Sequence, residues 1–490
     1  MRNISAVIPL SDEKSTRELI SELSRSDSVS QIFTYSPEPA CFSSNGSSEL
    51  VLDNIHSSAA IKTILMKAEC EYLLLIIKPV TLTLAPFALE RFMRIAADTR
   101  AAILYSNYNE FNKAGVSEAH PTIDYQTGSI RDDFDFGPLL LIRRDCLLDS
   151  ISKEADYKFA GFYDCRLRLS ESNPIFRIPE YLYTSIEPDR RNSGVKQFDY
   201  VDPRNRALQI EMETSVSDHL NRIGALIKPP FREIAFADTD FETEASVIIP
   251  VKNRVKTIRE AIQSALSQRA SFKYNVIVVD NHSSDGTTDI VRSMKESDSR
   301  LIHIIPERND LLIGGCWNKA VQSEFCGRFA VQLDSDDIYK DNDTLQTIAD
   351  TFYMEKCAMV IGAYILTDFY LNEIPPGLID HSEWTESNGT NNALRINGLG
   401  APRAFYTPIL REINIPNVSY GEDYFLGISI SREYKIGRIY KPLYFCRRWE
   451  ENTDSALDIQ KLNSNNLFKD RLRTFEILAR QKKNKTRIKE

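Results

Sequence analysis

The second half of this 490-residue chain repeats the order of sequence patterns found in its first half. Short apolar segments closed by proline, at residues 4–9 and 246–250, each precede a helical pattern and then a second apolar segment, at residues 31–36 and 275–280. A buried strand, an amphipathic helix and another buried strand, in this order, predict a mostly parallel sheet covered by helices. This repeat constrains the fold more than any other feature of the sequence.

Four further pairs of segments follow in the same order and at nearly the same separation. They are residues 72–77 and 329–334, 135–145 and 399–411, 160–170 and 420–431, and 175–187 and 436–448. One such pair could arise by chance, but six in register indicate a duplication. We therefore predict an α/β protein built from two tandem Rossmann-like domains.

The domain boundaries follow from the repeat. The first copy is expected in residues 1–195 and the second in residues 241–460. A helical pattern that ends near a Pro-Pro pair predicts a helical linker or a packing helix, and not a third domain, in residues 196–240. The remaining residues, 461–490, are expected to form a helical, basic C-terminal tail.

The charge and hydropathy of the chain exclude some broad classes of function. A formal net charge of −9 opposes sequence-independent nucleic-acid binding, which needs a basic surface. No apolar run approaches the roughly 18 residues of a membrane-spanning helix, and the eight cysteines show no CxxC spacing. These features, with a start that lacks the pattern of a signal peptide, predict a cytoplasmic protein with reduced thiols.

Acidic residues follow the predicted strands of the second copy. Asp334, Asp336 and Asp337 come directly after a buried strand, where carboxylates can share a divalent cation with phosphate oxygens. A solvated acidic turn that caps a helix is the alternative. Asp280 ends the neighbouring strand and could bind a ligand or cap the next helix.

Three other groups of residues have two interpretations each. Asp423, after Glu422, begins an apolar helical stretch, where it could act as a general base or only complement the helix dipole. Trp317 and Trp449 could stack on a sugar or belong to the core. His303 alternates within a strand, which predicts a packing role.

Taken together, the segments SVIIPVKNR, VIVVDNHSSDGTTD, QLDSDDIY and GEDYFL resemble the inverting GT-A glycosyltransferases of family 2 over residues 244–456. The resemblance implies a nucleotide-sugar site formed by Pro250, Asn253, Asp280, Asn318, Asp334 and Ser335. It also implies that Asp336, with Asp334, ligates Mn²⁺ or Mg²⁺, and that Asp423 is the catalytic base.

The second copy departs from the family pattern at two places. Trp317 replaces the arginine of an Arg-Asn pair whose asparagine corresponds to Asn318. A histidine expected near the end is absent, and Trp449-Glu450 stands near its place. Arg447, Arg448 or Glu450 are then candidates to replace that histidine.

The first copy resembles the same GT-A fold without its chemistry. Its counterparts of Asp334 and Asp336 are Ile77 and Pro79, and Tyr35 or Ser36 stands in place of Asp280. Of the acidic site residues, only Asp423 has an acidic counterpart in the first copy, and this is Asp164. We therefore expect a degenerate domain that serves stability, acceptor binding or partner binding.

The resemblance implies transfer of a sugar, with inversion, from a nucleotide-diphosphate sugar to an acceptor hydroxyl in the synthesis of a surface polysaccharide or another glycan. A UDP-sugar is the favoured donor, and a glycan or a lipid-linked sugar is the expected acceptor. The alternatives are a non-catalytic protein that binds carbohydrate or a partner, and a nucleotidyltransferase, although no glycine-rich basic loop follows Pro9 or Pro250.

The last ten residues of the C-terminal tail contain five basic residues, Lys482, Lys483, Lys485, Arg487 and Lys489. These could hold the enzyme against anionic lipid at the inner face of the membrane. A solvated, frayed terminus is the alternative.

Overall fold

The computed structural model describes residues 3–40, 42, 46–111, 115–152, 155–186, 205–236, 241–382, 384–385, 388–450 and 457–487. These residues form two compact units. The first contains the described residues between 3 and 186, residues 206–226, and the C-terminal segment from residue 457. The second contains the described residues between 227 and 450.

The first unit alternates strands and helices. Its elements are β1 (Ile4–Pro9), α1 (Glu13–Arg25), β2 (Val29–Ser36), β3 (Ser48–Val51), α2 (Ser58–Lys67), β4 (Tyr72–Ile76), β5 (Thr81–Leu84), α3 (Ala88–Thr99), β6 (Ile103–Phe111), β7 (Ser117–His120), β8 (Leu139–Arg143), α4 (Arg144–Ser150), α5 (Gly161–Ser172), β9 (Ile175–Ile186) and α6 (Arg206–Arg222). β1 and β4 are buried at every position, because helices cover both faces of the sheet. Asp12 caps α1 by accepting a hydrogen bond from the Ser15 amide.

The strands of the first unit form one sheet in the order β3-β2-β1-β4-β8-β6-β9-β5, and β7 pairs with β6. The β3-β2-β1-β4 half is parallel. β8 is antiparallel to both β4 and β6, so β6 runs in the same direction as β4. The carboxyl ends of β1, β2, β4 and β6 therefore lie at one edge of the sheet, which we call the carboxyl edge.

The second unit repeats the succession of strands and has two further helices between them. Its elements are β10 (Ala245–Val251), α7 (Ile258–Leu266), β11 (Tyr274–Asp280), α8 (Thr287–Ser297), β12 (Leu301–Ile304), α9 (Ile313–Val321), β13 (Phe329–Gln332), β14 (Ile338–Tyr339), α10 (Thr344–Glu355), β15 (Met359–Asp368), β16 (Glu373–Ile379), α11 (Gly389–Asn392), β17 (Arg403–Tyr406), α12 (Thr407–Ile413), α13 (Glu422–Ser431) and β18 (Ile436–Arg448). The two further helices are α8 and α11.

The two sheets have the same topology. In the second unit the order is β12-β11-β10-β13-β17-β15-β18-β14, with β16 paired to β15, which matches the first sheet strand by strand. The prediction of two tandem α/β domains is thus confirmed. Each sheet is parallel on one side and mixed on the other, because β8 and its counterpart β17 run against their neighbours.

Two helices that follow the expected first domain in the sequence belong to the first unit. α6, inside the expected linker 196–240, belongs to the first unit, where Glu211 accepts hydrogen bonds from the amides of residues 158–160. Residues 196–204 and 237–240 of that expected linker lie outside the described residues. The C-terminal helix α14 (Ile459–Arg487), which covers most of the expected tail 461–490, also belongs to the first unit.

The helices that the structure describes include none with the length and apolar character needed to cross a bilayer.

Candidate active site

The candidate site lies at the carboxyl edge of the second sheet. β10 pairs in parallel with β11 on one side and with β13 on the other, so that Val251 lies opposite Asp280 and Ile248 opposite Gln332. Asp280 is the last residue of β11, and the segments that follow β10 and β13 carry Asn253 and the acids Asp334, Asp336 and Asp337. In open α/β sheets ligands bind at this edge.

Asp280 is an internal anchor of its loop. Its carboxylate is fully buried and accepts hydrogen bonds from the Ser283 amide (3.0 Å) and from Thr288 Oγ1 (2.5 Å). His303 Nε2 lies 3.5 Å from Asp280 Oδ2. Burial alone would raise the pKa of Asp280, but the polar contacts with His303, Thr288 and Ser283 outweigh it and hold this pKa well below its ordinary value.

His303 therefore has a polar role in addition to the packing role expected from the alternation of its strand. It lies opposite Val278 in the register between β11 and β12, two residues before the end of β11. That register places its imidazole beside Asp280. No short motif in the sequence carries this information, because the contact depends on how two strands pair.

The loops after β10 and β11 are tied together. Asn253 has a φ of 54°, a left-handed conformation that asparagine tolerates better than most residues. Its Oδ1 accepts a hydrogen bond from the Ser284 amide (2.8 Å), and its amide donates to Ser283 Oγ (3.0 Å). Asp285 accepts from the Val255 amide (3.0 Å), and Pro250, half-buried, lies at the start of this double loop.

The acids after β13 repel one another. Both carboxylate oxygens of Asp334 lie 2.9 Å from Gln332 Nε2, and Asp337 accepts a hydrogen bond from the Arg447 amide (2.8 Å). Burial, together with the nearby charge of Asp336, raises the pKa of Asp334 and of Asp337. A cation bound here would relieve this repulsion.

Asp336 is half-buried, and its carboxylate lies near two other side chains of the site. Its Oδ2 lies 3.3 Å from Trp449 Nε1 and 3.8 Å from Arg254 Nε. Trp449, which stands near the place of the expected histidine, thus contacts Asp336 directly. Its ring also packs against Phe369, with centroids 5.3 Å apart. An indole N–H can only donate, so Trp449 cannot replace a histidine as a metal ligand.

The described residues contain no group of three or more His, Cys, Asp or Glu side chains arranged to hold a metal ion. Asp334 and Asp336 can supply carboxylate oxygens to a divalent cation, but its remaining ligands would have to come from elsewhere. The phosphate oxygens of a bound nucleotide are the usual source for Mg²⁺.

Asp423 lies in the first turn of α13. Its Oδ1 accepts a hydrogen bond from the Tyr424 amide (2.7 Å), and its Oδ2 lies 3.0 Å from Arg403 Nη1. The preceding residue, Glu422, is different, because burial and then the charge of Asp423 raise the pKa of Glu422 to about 8. Asp423 itself remains partly exposed.

Arg403 connects Asp423, at the start of α13, to Asp334, after β13. Its guanidinium contacts Asp423 and donates to the Gly400 carbonyl (2.6 Å). Its amide donates to Gln332 Oε1 (3.2 Å), and Gln332 in turn holds Asp334. The repeat contains a signal for this residue, since the strand register places the apolar Leu140 of β8 at the position that Arg403 occupies in β17.

Asn318 and Ser335 contribute in different ways. Asn318 lies on α9, and its Oδ1 is buried without a hydrogen-bond partner in the part of the chain that the structure describes. Trp317, in place of the arginine, is buried against Phe405 and cannot offer a charge. The side chain of Ser335 is largely buried, and its carbonyl accepts a hydrogen bond from Thr257 Oγ1 (2.9 Å).

Residues 246–408 match the family model described as glycosyl transferase family 2. The second unit contains a family 2 glycosyltransferase domain. The match begins in β10 and ends in α12, so it includes Asp280, Arg403 and the three acids after β13.

Curated relatives agree with this assignment. Over 128 residues the chain is 31% identical to a protein named as a teichuronic acid biosynthesis glycosyltransferase, TuaG, of Bacillus subtilis (strain 168), which covers 26% of this chain and 49% of that protein. An uncharacterized glycosyltransferase of Rickettsia felis is 27% identical over 210 residues, which cover 41% of this chain and 32% of that protein. The chain thus spans at most about half the length of these relatives.

Solved structures overlap less closely. TarS 1-349 of S. aureus in complex with UDP has a TM-score of 0.37 and 22% identity, over 48% of this chain and 65% of that chain. The mannosyltransferase PcManGT of Pyrobaculum calidifontis, in complex with GDP-Man and Mn²⁺, has a TM-score of 0.33 and 17% identity, over 55% and 83%. These TM-scores are too low to support a conclusion about ligands.

The glycosyltransferase domain differs from the first unit at the corresponding edge. There Ile77 is buried, and Tyr35 Oη donates to the Ile76 carbonyl (3.0 Å). Asp164, the counterpart of Asp423, is buried in a salt bridge with Arg168 (2.8 Å) and accepts a hydrogen bond from Ser215 Oγ (3.3 Å). The side chains of Tyr35 and Asp164 thus bond to other groups of the first unit.

Proposed function

We propose that the second unit transfers a sugar from a nucleoside-diphosphate sugar to an acceptor hydroxyl, with inversion at the anomeric carbon. The observation that carries this proposal is the arrangement around Arg403, which links Asp423 to Gln332 and so to Asp334. A partly exposed carboxylate and a group of acids that favours a cation thus lie at one edge of the sheet. Transfer from a diphosphate donor can use the first as a general base, and a cation held by the second can stabilise the leaving group.

The donor would occupy the loops after β10, β11 and β13. The nucleoside would lie against the two linked loops after β10 and β11, next to Pro250, Asn253 and Asp280. Asn318 would offer its buried Oδ1 as a hydrogen-bond acceptor. Ser335 lies in the sequence between the proposed metal ligands Asp334 and Asp336. Because Asp280 is fully buried and already accepts hydrogen bonds, it would act mainly by fixing this loop. We favour a UDP-sugar as the donor.

Asp334 and Asp336 would hold Mn²⁺ or Mg²⁺ together with the diphosphate. When bound, the cation would stabilise the charge that develops on the departing nucleoside diphosphate. Asp423 would accept the proton of the acceptor hydroxyl as its oxygen attacks the anomeric carbon. The new C–O bond would form on the face opposite to the breaking bond, which inverts the configuration without a covalent intermediate.

Arg403 would act as a positioning residue. The Tyr424 amide holds Asp423 Oδ1, and the Arg403 guanidinium holds Oδ2. Two fixed contacts restrict rotation of the carboxylate while leaving lone pairs for the acceptor hydroxyl. The same guanidinium also opposes the negative charge of Asp334.

The acceptor would be a glycan or a lipid-linked sugar in the synthesis of a surface polysaccharide. The name of the Bacillus subtilis relative, a teichuronic acid biosynthesis glycosyltransferase, supports this class of product. The enzyme would then work in the cytoplasm, at the inner face of the membrane. Metal dependence, donor and acceptor are all parts of this proposal.

The test uses the purified full chain with a panel of UDP- and GDP-sugars, with Mn²⁺, with Mg²⁺, and with a chelator. We expect release of nucleoside diphosphate from one donor, dependent on metal and lost in Asp423→Asn. Stabilisation of the protein by a donor without any turnover would favour a non-catalytic binding protein instead. Release of pyrophosphate would indicate a nucleotidyltransferase.

A further inference from the structure

One side of α14 presents apolar and basic side chains to solvent. Arg471, Phe475, Leu478, Lys482 and Lys485 are exposed and recur at intervals of three and four residues, so they lie within an arc of about 80° on the helix. Phe475 is 61% exposed and Leu478 is 55% exposed. These five residues are called the basic face of α14 below.

The opposite side of α14 is fixed to the first unit. Asp470 is fully buried and accepts hydrogen bonds from Ser129 Oγ (2.9 Å), from Arg131 Nε (3.2 Å) and from Arg473 Nη1 (2.8 Å). The helix backbone approaches so closely here that a Cβ on Gly128 would lie 2.0 Å from the Asp470 carbonyl oxygen.

Further contacts fix the last turns of the helix. Arg480 and Glu476 form a buried ion pair (2.8 Å), and Asn484 Nδ2 donates to the carbonyls of Gly224 and Leu226 (2.9 Å each). A helix held at these points cannot rotate to hide Phe475 and Leu478. The basic face is therefore a fixed surface of the first unit.

Charge on this surface differs in sign from that of the chain. The chain carries a net charge of −9, yet residues 471–487 contain seven Lys and Arg and one acid, Glu476. Because Glu476 is buried against Arg480, the charges that this segment exposes are positive. A shallow depression lined by Leu478, Gln481, Lys482, Lys485 and Thr486 lies at the same place.

We propose that the basic face of α14 docks the protein on an anionic lipid bilayer. Phe475 and Leu478 would enter the boundary between headgroups and acyl chains, as the apolar side of an interfacial helix does. Lys482, Lys485 and Arg471 would contact lipid phosphates. The proposal concerns the first unit and holds whether or not the second unit transfers a sugar.

The test measures binding of the full chain to vesicles by sedimentation. We expect binding to vesicles of phosphatidylcholine with phosphatidylglycerol, weaker binding at high salt, and little binding to phosphatidylcholine alone. The variant Leu478→Ser with Lys482→Gln should bind the anionic vesicles about tenfold more weakly, because it removes one apolar contact and one charge. Phe475→Ser, tested separately, should also weaken binding.

The matched control is Met66→Ser with Lys67→Gln. These residues lie at the C-terminal end of α2, in the same unit, and offer an exposed apolar side chain next to an exposed lysine. The control should bind like the unchanged protein, and circular dichroism should show all variants folded. Equal loss in the control and in the α14 variants would overturn the proposal, and so would salt-insensitive binding.

A second copy of the chain is the competing occupant of this face. Sedimentation velocity without lipid distinguishes the two. We expect the unchanged protein and the α14 variants to have the same oligomeric state. A dimer that dissociates in Leu478→Ser with Lys482→Gln would assign the face to self-association and refute membrane docking.

Discussion

The carboxyl edges of the two sheets have the same strand topology but differ in the partners of their acidic side chains. In the first unit Asp164 pairs with Arg168, and Glu110 and Asp135 both contact His120, so each of these three acids has a cationic partner. In the second unit Asp334 is half-buried and Asp337 is buried, and both lie close to further acids. Desolvation and these neighbouring charges raise the pKa of both. Asp423 is paired with Arg403 as its counterpart Asp164 is paired with Arg168, so the difference between the edges lies in the acids after β13, which have no counterpart in the first unit and favour an added cation.

This comparison separates what makes the fold from what makes the site. β1 and β4 of the first unit and β10 and β11 of the second are almost entirely buried. Both sheets therefore depend on apolar packing that the duplication retained. The chemistry depends on single residues directly after the strands. Ile77 in place of Asp334 alters the charge at the edge without altering the strand before it.

The largest expected effect comes from Asp423→Asn, which removes the proposed base and keeps its shape. Transfer should fall by roughly two to four orders of magnitude, the usual contribution of general-base catalysis. The donor Kd should remain within a few-fold, as measured by calorimetry. The matched variant Asp164→Asn in the first unit should leave the turnover of the folded protein unchanged.

A loss of donor affinity in Asp423→Asn, with turnover preserved at saturation, would contradict the assignment of a base. A fall in turnover for Asp164→Asn, in protein shown to be folded, would mean that the two edges are not functionally different.

Asp336→Asn should produce the next largest effect. It removes one charged oxygen from the proposed metal site, so the concentration of Mn²⁺ needed for half-maximal turnover should rise at least about tenfold. Titration of turnover against Mn²⁺ measures this. Asp289→Asn, at an exposed acid on α8 of the same unit, is the control and should leave the metal requirement unchanged.

An unchanged metal requirement in Asp336→Asn would remove this residue from the metal site. Turnover that does not depend on metal in the unchanged protein would mean that Arg254 or another cation of the chain balances the acids instead.

Arg403→Gln should have a smaller effect, because it acts through Asp423. We expect kcat to fall about tenfold and KM for the donor to change little, since the proposed donor loops do not include this side chain. Arg403→Lys should recover part of kcat, because it restores the charge without the forked geometry. An equal loss in both variants, with a proportional rise in KM, would assign Arg403 to donor binding.

The sequence was sufficient for features that are local along the chain. Buried strands, the repeat and the acids that follow β11 and β13 can be read from contiguous segments, and the structure places Asp280 and Asp334 at one edge as parallel strands require. Contacts between distant segments could not be predicted. The contact of His303 with Asp280 depends on strand register, and those of Arg403 with Asp423 and of Trp449 with Asp336 depend on how β17, α13 and the end of β18 meet.

The smallest expected effect tests the first edge, where His120 supplies the cation. Its Nδ1 lies 2.9 Å from Glu110 and its Nε2 lies 3.0 Å from Asp135, and its ring stacks on Tyr108. Although burial opposes the charged form, contacts with Asp135 and Glu110 raise the pKa of His120 to about 9. Because the pKa is higher in the folded state, the contribution to stability is complete below about pH 6.5, the ordinary pKa of histidine, and is lost as the pH rises through about 9.

His120→Gln should therefore lower the free energy of unfolding of the first unit by about 1–2 kcal/mol at pH 6, and by little at pH 10. Urea unfolding at both pH values measures the difference. His282→Asn is the control: His282 is exposed and has a φ of 57°, a conformation that asparagine also adopts. A destabilisation by His120→Gln that is equal at both pH values would mean that the ring contributes only packing, and the first edge would then not depend on a cation of its own.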